Sequence, residues 1–127
     1  MLNVLVIDDK KLIIDMIERL LSAHQINVLS AGNGLAATEL LNQQAVDLII
    51  CDHLMPIMNG IKFVENYFAN NDSPKPVIFM TTQDIKSVSQ LSELSQVTDI
   101  FAKPLDLEML EKRIKNILSL NTTAKVL

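Results

Sequence analysis

Short apolar runs alternate with longer segments of helical period five times along this chain of 127 residues. The runs are rich in Val and Ile and contain few polar residues, as expected for strands buried on both faces of a parallel sheet. They span residues 3–7, 26–30, 47–51, 76–80 and 98–102. Because strands that alternate with helices form right-handed βαβ units, the sequence predicts an α/β fold, a doubly wound parallel sheet with helices on both faces.

The segments between the runs carry apolar residues at the spacing of an amphipathic helix. Three of these segments begin at a residue suited to cap a helix N-terminus, namely Asn33, Asp84 and Asp106. The third helix is entered through Asn59-Gly60. The other predicted helices cover about 10–23, 33–44, 84–94 and 106–119. The helix at 84–94 is the most polar, so we expect it to be held loosely.

Composition excludes several classes of protein. The chain is 49% hydrophobic, which argues against disorder, and its formal net charge of -4 argues against direct binding of nucleic acid. No apolar run approaches the roughly 20 residues that span a bilayer, and two aspartates by position 9 argue against a signal peptide. The single cysteine, Cys51, cannot form an internal disulfide, which fits a reducing, cytoplasmic location.

Polar residues follow four of the five apolar runs, at the point where each predicted strand ends. Asp8 and Asp9 follow the first, Asp52 the third, Thr81-Thr82 the fourth and Lys103-Pro104 the fifth. The carboxyl ends of parallel strands share one edge of the sheet, where ligands bind. We therefore expect three carboxylates, a hydroxyl and an ammonium to converge, although each feature alone is more often a helix cap or a turn.

Three carboxylates in one pocket repel one another. At about 4 Å each like-charged pair costs on the order of 4 kcal/mol at an effective dielectric constant of about 20. A hard divalent cation would explain such a pocket, and oxygen ligands without His or Cys suit Mg²⁺ or Mn²⁺ better than Zn²⁺. Mg²⁺ commonly shares its site with a phosphate, and an Asp carboxylate can itself become an aspartyl phosphate.

With these motifs the chain resembles the receiver domain of two-component response regulators, of the chemotaxis-regulator type. The markers are Val6-Ile7-Asp8-Asp9, Asp52-His-Leu-Met-Pro56-Ile-Met-Asn-Gly60, Val77-Ile-Phe-Met-Thr81-Thr82 and Ala102-Lys103-Pro104. The resemblance covers about residues 2–119. It implies a receiver domain over 1–119, with 120–127 as a tail or truncated linker. It also implies a five-stranded parallel sheet of order 2-1-3-4-5 flanked by five helices, a flavodoxin-like three-layer sandwich.

The resemblance also assigns roles to the strand-end residues. Asp52 would be the phosphoacceptor. Thr81 and Lys103 would bind phosphoryl oxygens and act as switch residues, and the Lys103–Pro104 peptide is usually cis in the family. Mg²⁺ would be held by Asp9 and Asp52 directly, by Asp8 through water and by the backbone carbonyl of Leu54.

As a function, the resemblance implies a phosphorylation-dependent signalling switch rather than an enzyme with a separate substrate. A histidine kinase or histidine phosphotransfer protein would donate the phosphoryl group, and the receiver would catalyse its own phosphotransfer and autodephosphorylation. The face made by the fourth helix, fifth strand and fifth helix would then change and control a partner or an effector domain. The identity of the kinase, the output and a homodimer formed on phosphorylation stay open, and no membrane partner is expected.

Several positions depart from the family pattern. Ile100 stands three residues before the lysine, where the family often has an aromatic switch residue, so we expect an altered switch or simple packing there. Ser95-Gln96-Val97 replaces an Ala-Gly-Ala turn. Leu54 and Gln83 occupy positions that tune hydrolysis of the acyl phosphate, and we expect Leu54 to dominate. We interpret His53 as a loop residue.

Three other functions compete with the receiver. A phosphatase of the haloacid-dehalogenase type also uses Asp, Mg²⁺, Thr and Lys, but it needs a second Asp where this chain has Leu54. Flavin or dinucleotide binding would require a glycine-rich loop after the first strand, and the chain has only 3 glycines. A receiver-shaped binding module that no longer accepts phosphate stays open because of Ile100 and the missing glycine before the fifth strand.

Overall fold

The computed structural model describes residues 1–120 and shows a five-stranded parallel sheet. Its strands lie in the order β2-β1-β3-β4-β5, as the resemblance implied. Each strand begins and ends within one residue of its predicted position. The bounds are β1 Asn3–Ile7, β2 Asn27–Ala31, β3 Leu48–Asp52, β4 Val77–Thr81 and β5 Asp99–Ala102.

Five helices flank the sheet and complete the three-layer, flavodoxin-like sandwich. No helix within residues 1–120 is both long and apolar enough to cross a bilayer. The predicted tail lies outside the described residues from position 121 onward. The helices are α1 Lys11–Ser22, α2 Gly34–Leu41, α3 Gly60–Ala69, α4 Ile85–Val88 and α5 Leu107–Leu118.

The core is divided by the sheet into two apolar layers. Successive residues of a strand point to opposite faces, so Ile100 packs in one layer and Phe101 in the other. All residues of β3 and β4 are buried, which explains their continuous apolar sequences. These two strands carry Asp52 and Thr81 at their carboxyl ends.

The predicted N-caps are confirmed. The side chains of Asn33, Asp84 and Asp106 each accept a hydrogen bond from the backbone N–H three residues later. Asn59 does the same at the start of α3. Each cap satisfies an N–H group that has no partner inside its helix, and so fixes where the helix begins.

The predicted helix at 84–94 is wrong in its extent. α4 is a single turn, and a short 3-10 helix at Ser92–Leu94 follows it. Serine side chains form local hydrogen bonds in this segment: Ser87 Oγ donates to the side-chain carboxylate of the cap Asp84, and Ser89 Oγ donates to the backbone carbonyl of Lys86. The glycine-free segment before β5 turns through this 3-10 helix. A hydrogen bond from the Val97 N–H to the Leu94 carbonyl continues the turn toward the strand.

Gly60 marks the closest backbone approach near the site. A Cβ there would collide with the backbone carbonyl oxygen of Asp52. The Gly60 N–H also donates to the His53 carbonyl oxygen at 2.7 Å, so the start of α3 cannot retreat without losing a hydrogen bond. Gly32, in contrast, has no atom within 4 Å of the position of an added Cβ.

We predict that Gly60→Ala lowers the free energy of unfolding by about 2–3 kcal/mol, because the clash is with backbone rather than with a movable side chain. The control Gly32→Ala should be unchanged or stabilised by up to about 1 kcal/mol through its effect on the unfolded chain. Urea denaturation of both variants and the parent measures the difference. Equal midpoints for Gly60→Ala and the parent would contradict the close approach.

Candidate functional site

The carboxyl edge of the sheet brings the strand-end residues together. Asp8 and Asp9 follow β1, whereas Asp52 and Thr81 are the last residues of β3 and β4. Lys103 follows β5, and its peptide bond to Pro104 is cis. Because β3 lies between β1 and β4, the Asp52 side chain is central in the group.

The three aspartates form a compact acidic cluster. One carboxylate oxygen from each of Asp8, Asp9 and Asp52 lies within 4.8 Å of the others. Asp8 and Asp52 are buried, whereas Asp9 is exposed at the mouth of the site. Carboxylate oxygens at this spacing, without imidazole or thiolate among them, suit a hard divalent cation.

One ammonium group is shared by the two buried carboxylates. Lys103 Nζ lies 2.8 Å from Asp8 Oδ2 and 2.9 Å from Asp52 Oδ1, and its side chain is 9% exposed. The second oxygen of Asp8 accepts a hydrogen bond from the Lys10 backbone N–H. Three carboxylates and one buried ammonium leave the site with excess negative charge, which favours a further cation.

The pKa values of Asp52 and Lys103 are both raised, but for different reasons. Burial raises the pKa of Asp52, and the neighbouring Asp8 charge adds to this, whereas hydrogen bonding to Lys103 opposes it. For Lys103 burial lowers the pKa, but the bonds to Asp8 and Asp52 outweigh burial and leave the pKa raised. The lysine therefore remains an ammonium at neutral pH.

Thr81 places a fully buried hydroxyl at the end of β4, beside β3, the strand that carries Asp52. Its Oγ1 accepts a hydrogen bond from the Gln83 backbone N–H at 2.9 Å. The same oxygen lies 2.8 Å from His53 Nδ1. The Lys103 backbone N–H donates to the Thr81 carbonyl oxygen at 2.8 Å, so Thr81 is joined to both neighbouring strand ends.

His53 lies in the loop after β3, as the sequence indicated, but its side chain makes contacts that the sequence did not indicate. Its ring packs at a tilt on Phe79, with centroids 5.4 Å apart, and bonds to Thr81. Burial lowers the pKa of His53, and the Asp52 charge opposes this shift. This contact was missed from the sequence because it depends on the alignment of β3 and β4. Asp52 pairs with Met80, so the residues that follow them, His53 and Thr81, lie side by side.

The remaining predicted residues lie around the edge of this group. Leu54 is half-exposed in the loop after β3, and the Gln83 side chain is exposed. Ile100 is half-buried, aligned with Phe79 across the β4–β5 ladder, and packed in the core layer on that face. It contributes a branched aliphatic side chain where an aromatic ring could otherwise turn.

Comparison with known proteins agrees with this arrangement. The family model of the response regulator receiver domain matches residues 4–115. The Heme response regulator HssR of Staphylococcus aureus is 31% identical over 118 residues, which are 93% of this chain and 52% of that protein. The chain thus spans about half the length of the curated relatives it matches.

Solved structures give the same result. The receiver domain of the Francisella response regulator 1452 has a TM-score of 0.83 at 28% identity, covering 92% of this chain and 96% of that one. The chemotaxis response regulator CheY4 of Vibrio cholerae has a TM-score of 0.79 at 26% identity, covering 92% and 98%. The chain belongs to the response regulator receiver domain family of two-component signalling.

Proposed function

We propose that this chain is a phosphorylation-dependent switch in which Asp52 accepts a phosphoryl group. The donor is a phosphohistidine on a partner histidine kinase or histidine phosphotransfer protein. The proposal is supported chiefly by the Lys103 ammonium, which bonds to both Asp8 and Asp52 beside the third carboxylate of Asp9. That arrangement offers a nucleophile, a cation for the phosphoryl oxygens and oxygen ligands for a metal in one place.

Mg²⁺ or Mn²⁺ fits this donor set. The carboxylates of Asp8, Asp9 and Asp52 and the backbone carbonyl of Leu54 are the proposed ligands, with Asp8 acting through water. When bound, a divalent cation supplies positive charge that offsets both the carboxylates and the oxygens of a phosphoryl group. The family binds Mg²⁺ at such an acidic pocket.

Asp52 provides the nucleophile. A carboxylate oxygen forms the new bond to phosphorus as the bond between phosphorus and the donor's imidazole nitrogen breaks, and the electron pair leaves with the imidazole. Lys103 bonds to Asp52 before transfer, so its ammonium is already beside the incoming phosphoryl oxygens. Such transfer depends mainly on positioning and electrostatic stabilisation, which the protein supplies without a separate substrate.

The phosphoryl group then acts as the signal. Thr81 and Lys103 are the proposed partners of its oxygens, and they are joined through a backbone hydrogen bond between β4 and β5. Moving a two-state equilibrium from 1:99 to 99:1 takes about 5.5 kcal/mol. Hydrogen bonds to charged groups contribute about 1.5–3 kcal/mol each, so a few can change the α4–β5–α5 face and control a partner or effector domain.

The competing function is a receiver-shaped binding module that is not phosphorylated. Ile100 favours it, because this side chain cannot turn inward as a phenol or phenyl ring does. The acceptor Asp52, the acidic pair and Lys103 are all present, and these favour the phosphorylated switch. Direct phosphorylation distinguishes the two functions.

We predict that acetyl phosphate with Mg²⁺ adds one phosphoryl group, removable by hydroxylamine, because Asp52 is a nucleophile beside a lysine. Intact mass spectrometry measures the addition. Asp52→Asn and EDTA should each abolish it. Asp72→Asn, which alters an exposed carboxylate at the opposite edge of the sheet, should react like the parent. An unmodified parent protein would support the binding module instead.

We predict that Asp9→Asn stabilises the metal-free protein by on the order of 1 kcal/mol. Asp9 adds to the repulsion but does not bond to Lys103, and its exposed pair with Lys10 at 3.6 Å contributes little. Thermal melting in EDTA should show the gain.

Millimolar Mg²⁺ should reduce or reverse that gain, since the parent binds the cation more tightly than the variant does. Asp72→Asn changes the net charge equally and serves as the control, whose difference from the parent should not respond to Mg²⁺. A lower melting temperature for Asp9→Asn in EDTA would be inconsistent with a crowded acidic cluster.

The phosphorylated form is proposed to be long-lived, with Leu54 shielding the acyl phosphate from water more than Gln83 promotes its hydrolysis. We predict that the phosphorylated protein lasts for minutes or longer after acetyl phosphate is removed. Intact mass spectrometry at successive times measures this lifetime. Leu54→Asn should shorten this lifetime several-fold, whereas Gln83→Ala should change it little. Loss of the phosphoryl group from the parent within seconds would refute the shielding role.

A further inference from the structure

The Thr81 hydroxyl has one proton and two lone pairs, and two groups lie within hydrogen-bond distance of its oxygen. The Gln83 backbone N–H donates to one lone pair at 2.9 Å. His53 Nδ1, at 2.8 Å, is the other hydrogen-bond partner of this oxygen within residues 1–120. Because the hydroxyl is fully buried, water cannot receive its proton, so we assign His53 the tautomer protonated at Nε2, in which Nδ1 accepts the hydroxyl proton.

The His53 ring is held in place for this bond. It packs on Phe79, and its backbone carbonyl accepts the Gly60 N–H at 2.7 Å. The ring presents Nδ1 to the Thr81 hydroxyl, and a neutral imidazole with its proton on Nε2 can accept a hydrogen bond at Nδ1. The aliphatic Ile100, aligned with Phe79, offers no polar atom that could replace it.

We propose that His53 is a positioning residue that holds the Thr81 hydroxyl in the unphosphorylated state. The inference depends on the proposed function, in which the same hydroxyl donates to a phosphoryl oxygen. A single proton cannot serve both acceptors, so phosphorylation exchanges the bond to Nδ1 for a bond to the phosphoryl group. His53 therefore stabilises the unphosphorylated conformation and opposes switching.

The direction of the effect follows from this competition. A ring without nitrogen leaves the buried hydroxyl proton unpaired before phosphorylation, which destabilises that state, whereas the phosphoryl-bound state keeps its own acceptor. A group that stabilises one of two states shifts the equilibrium by its differential interaction alone. The size of one neutral hydrogen bond corresponds to an affinity change of about three- to tenfold.

We predict that His53→Phe binds beryllofluoride, a phosphoryl analogue, about three- to tenfold more tightly than the parent in the presence of Mg²⁺. Isothermal titration calorimetry at pH 8, above the ordinary pKa of a histidine side chain, measures the affinity. His53→Asn is the matched control, because its side-chain oxygen can accept the hydroxyl proton, and it should remain close to the parent.

A double-mutant cycle separates the hydrogen bond from packing. In a Thr81→Val background, which lacks the hydroxyl, His53→Phe should have no further effect on affinity. In a Thr81→Ser background, which keeps it, the gain should persist. Nitrogen chemical shifts of the His53 ring should report a proton on Nε2 in the free protein and loss of the hydrogen bond at Nδ1 when beryllofluoride binds.

Unchanged or weaker binding by His53→Phe would overturn the inference, as would an equal gain in the Thr81→Val background or a gain for His53→Asn. Each of these results leaves the proposed function intact when the parent still binds beryllofluoride. Failure of the parent to bind it, or equal binding by Asp52→Asn, would overturn the proposed function itself and the inference with it.

Discussion

The shared ammonium of Lys103 is the interaction on which the rest of the site depends. It lies within 3 Å of oxygens from two buried carboxylates, on the loop after β1 and at the end of β3. Without it, Asp8 and Asp52 would face each other as unpaired buried charges, which is strongly unfavourable. A single lysine nevertheless leaves the cluster of three carboxylates with excess negative charge, which favours a further cation.

The order of the strands brings these groups together without disturbing the core. β3 and β4 are apolar and buried along their whole length, and the charged and hydroxyl groups are confined to the strand ends. The strand order reverses between β1 and β3, and doubly wound sheets bind ligands at this edge beside such a reversal. The alignment of β4 with β5 then places Thr81 opposite Ala102, directly before Lys103. Lys103 therefore contacts the acidic cluster through its side chain and Thr81 through one backbone hydrogen bond.

Much of this was predictable from sequence because it depends on local patterns. The apolar runs, the polar residues at their ends and the caps Asn33, Asp84 and Asp106 are all short-range signals. The extent of α4 was not predictable, because it involves the hydrogen bonds that Ser87 makes to the Asp84 carboxylate and Ser89 makes to the Lys86 carbonyl, and an apolar pattern does not reveal such side-chain geometry. The His53–Thr81 bond was missed because it depends on how β3 and β4 align, which neither strand encodes alone.

Thr81 links three segments that are otherwise separate in sequence. Its hydroxyl bonds to His53 after β3 and to Gln83 before α4, and its carbonyl accepts the N–H of Lys103 after β5. A shift of this one residue must break or carry along each of these bonds. The segment after Gln83 is the one best able to respond, since α4 is a single turn with few buried residues and therefore belongs to the low-stability part of the fold. In the proposed switch, this segment would be the one to move when the Thr81 hydroxyl changes partner.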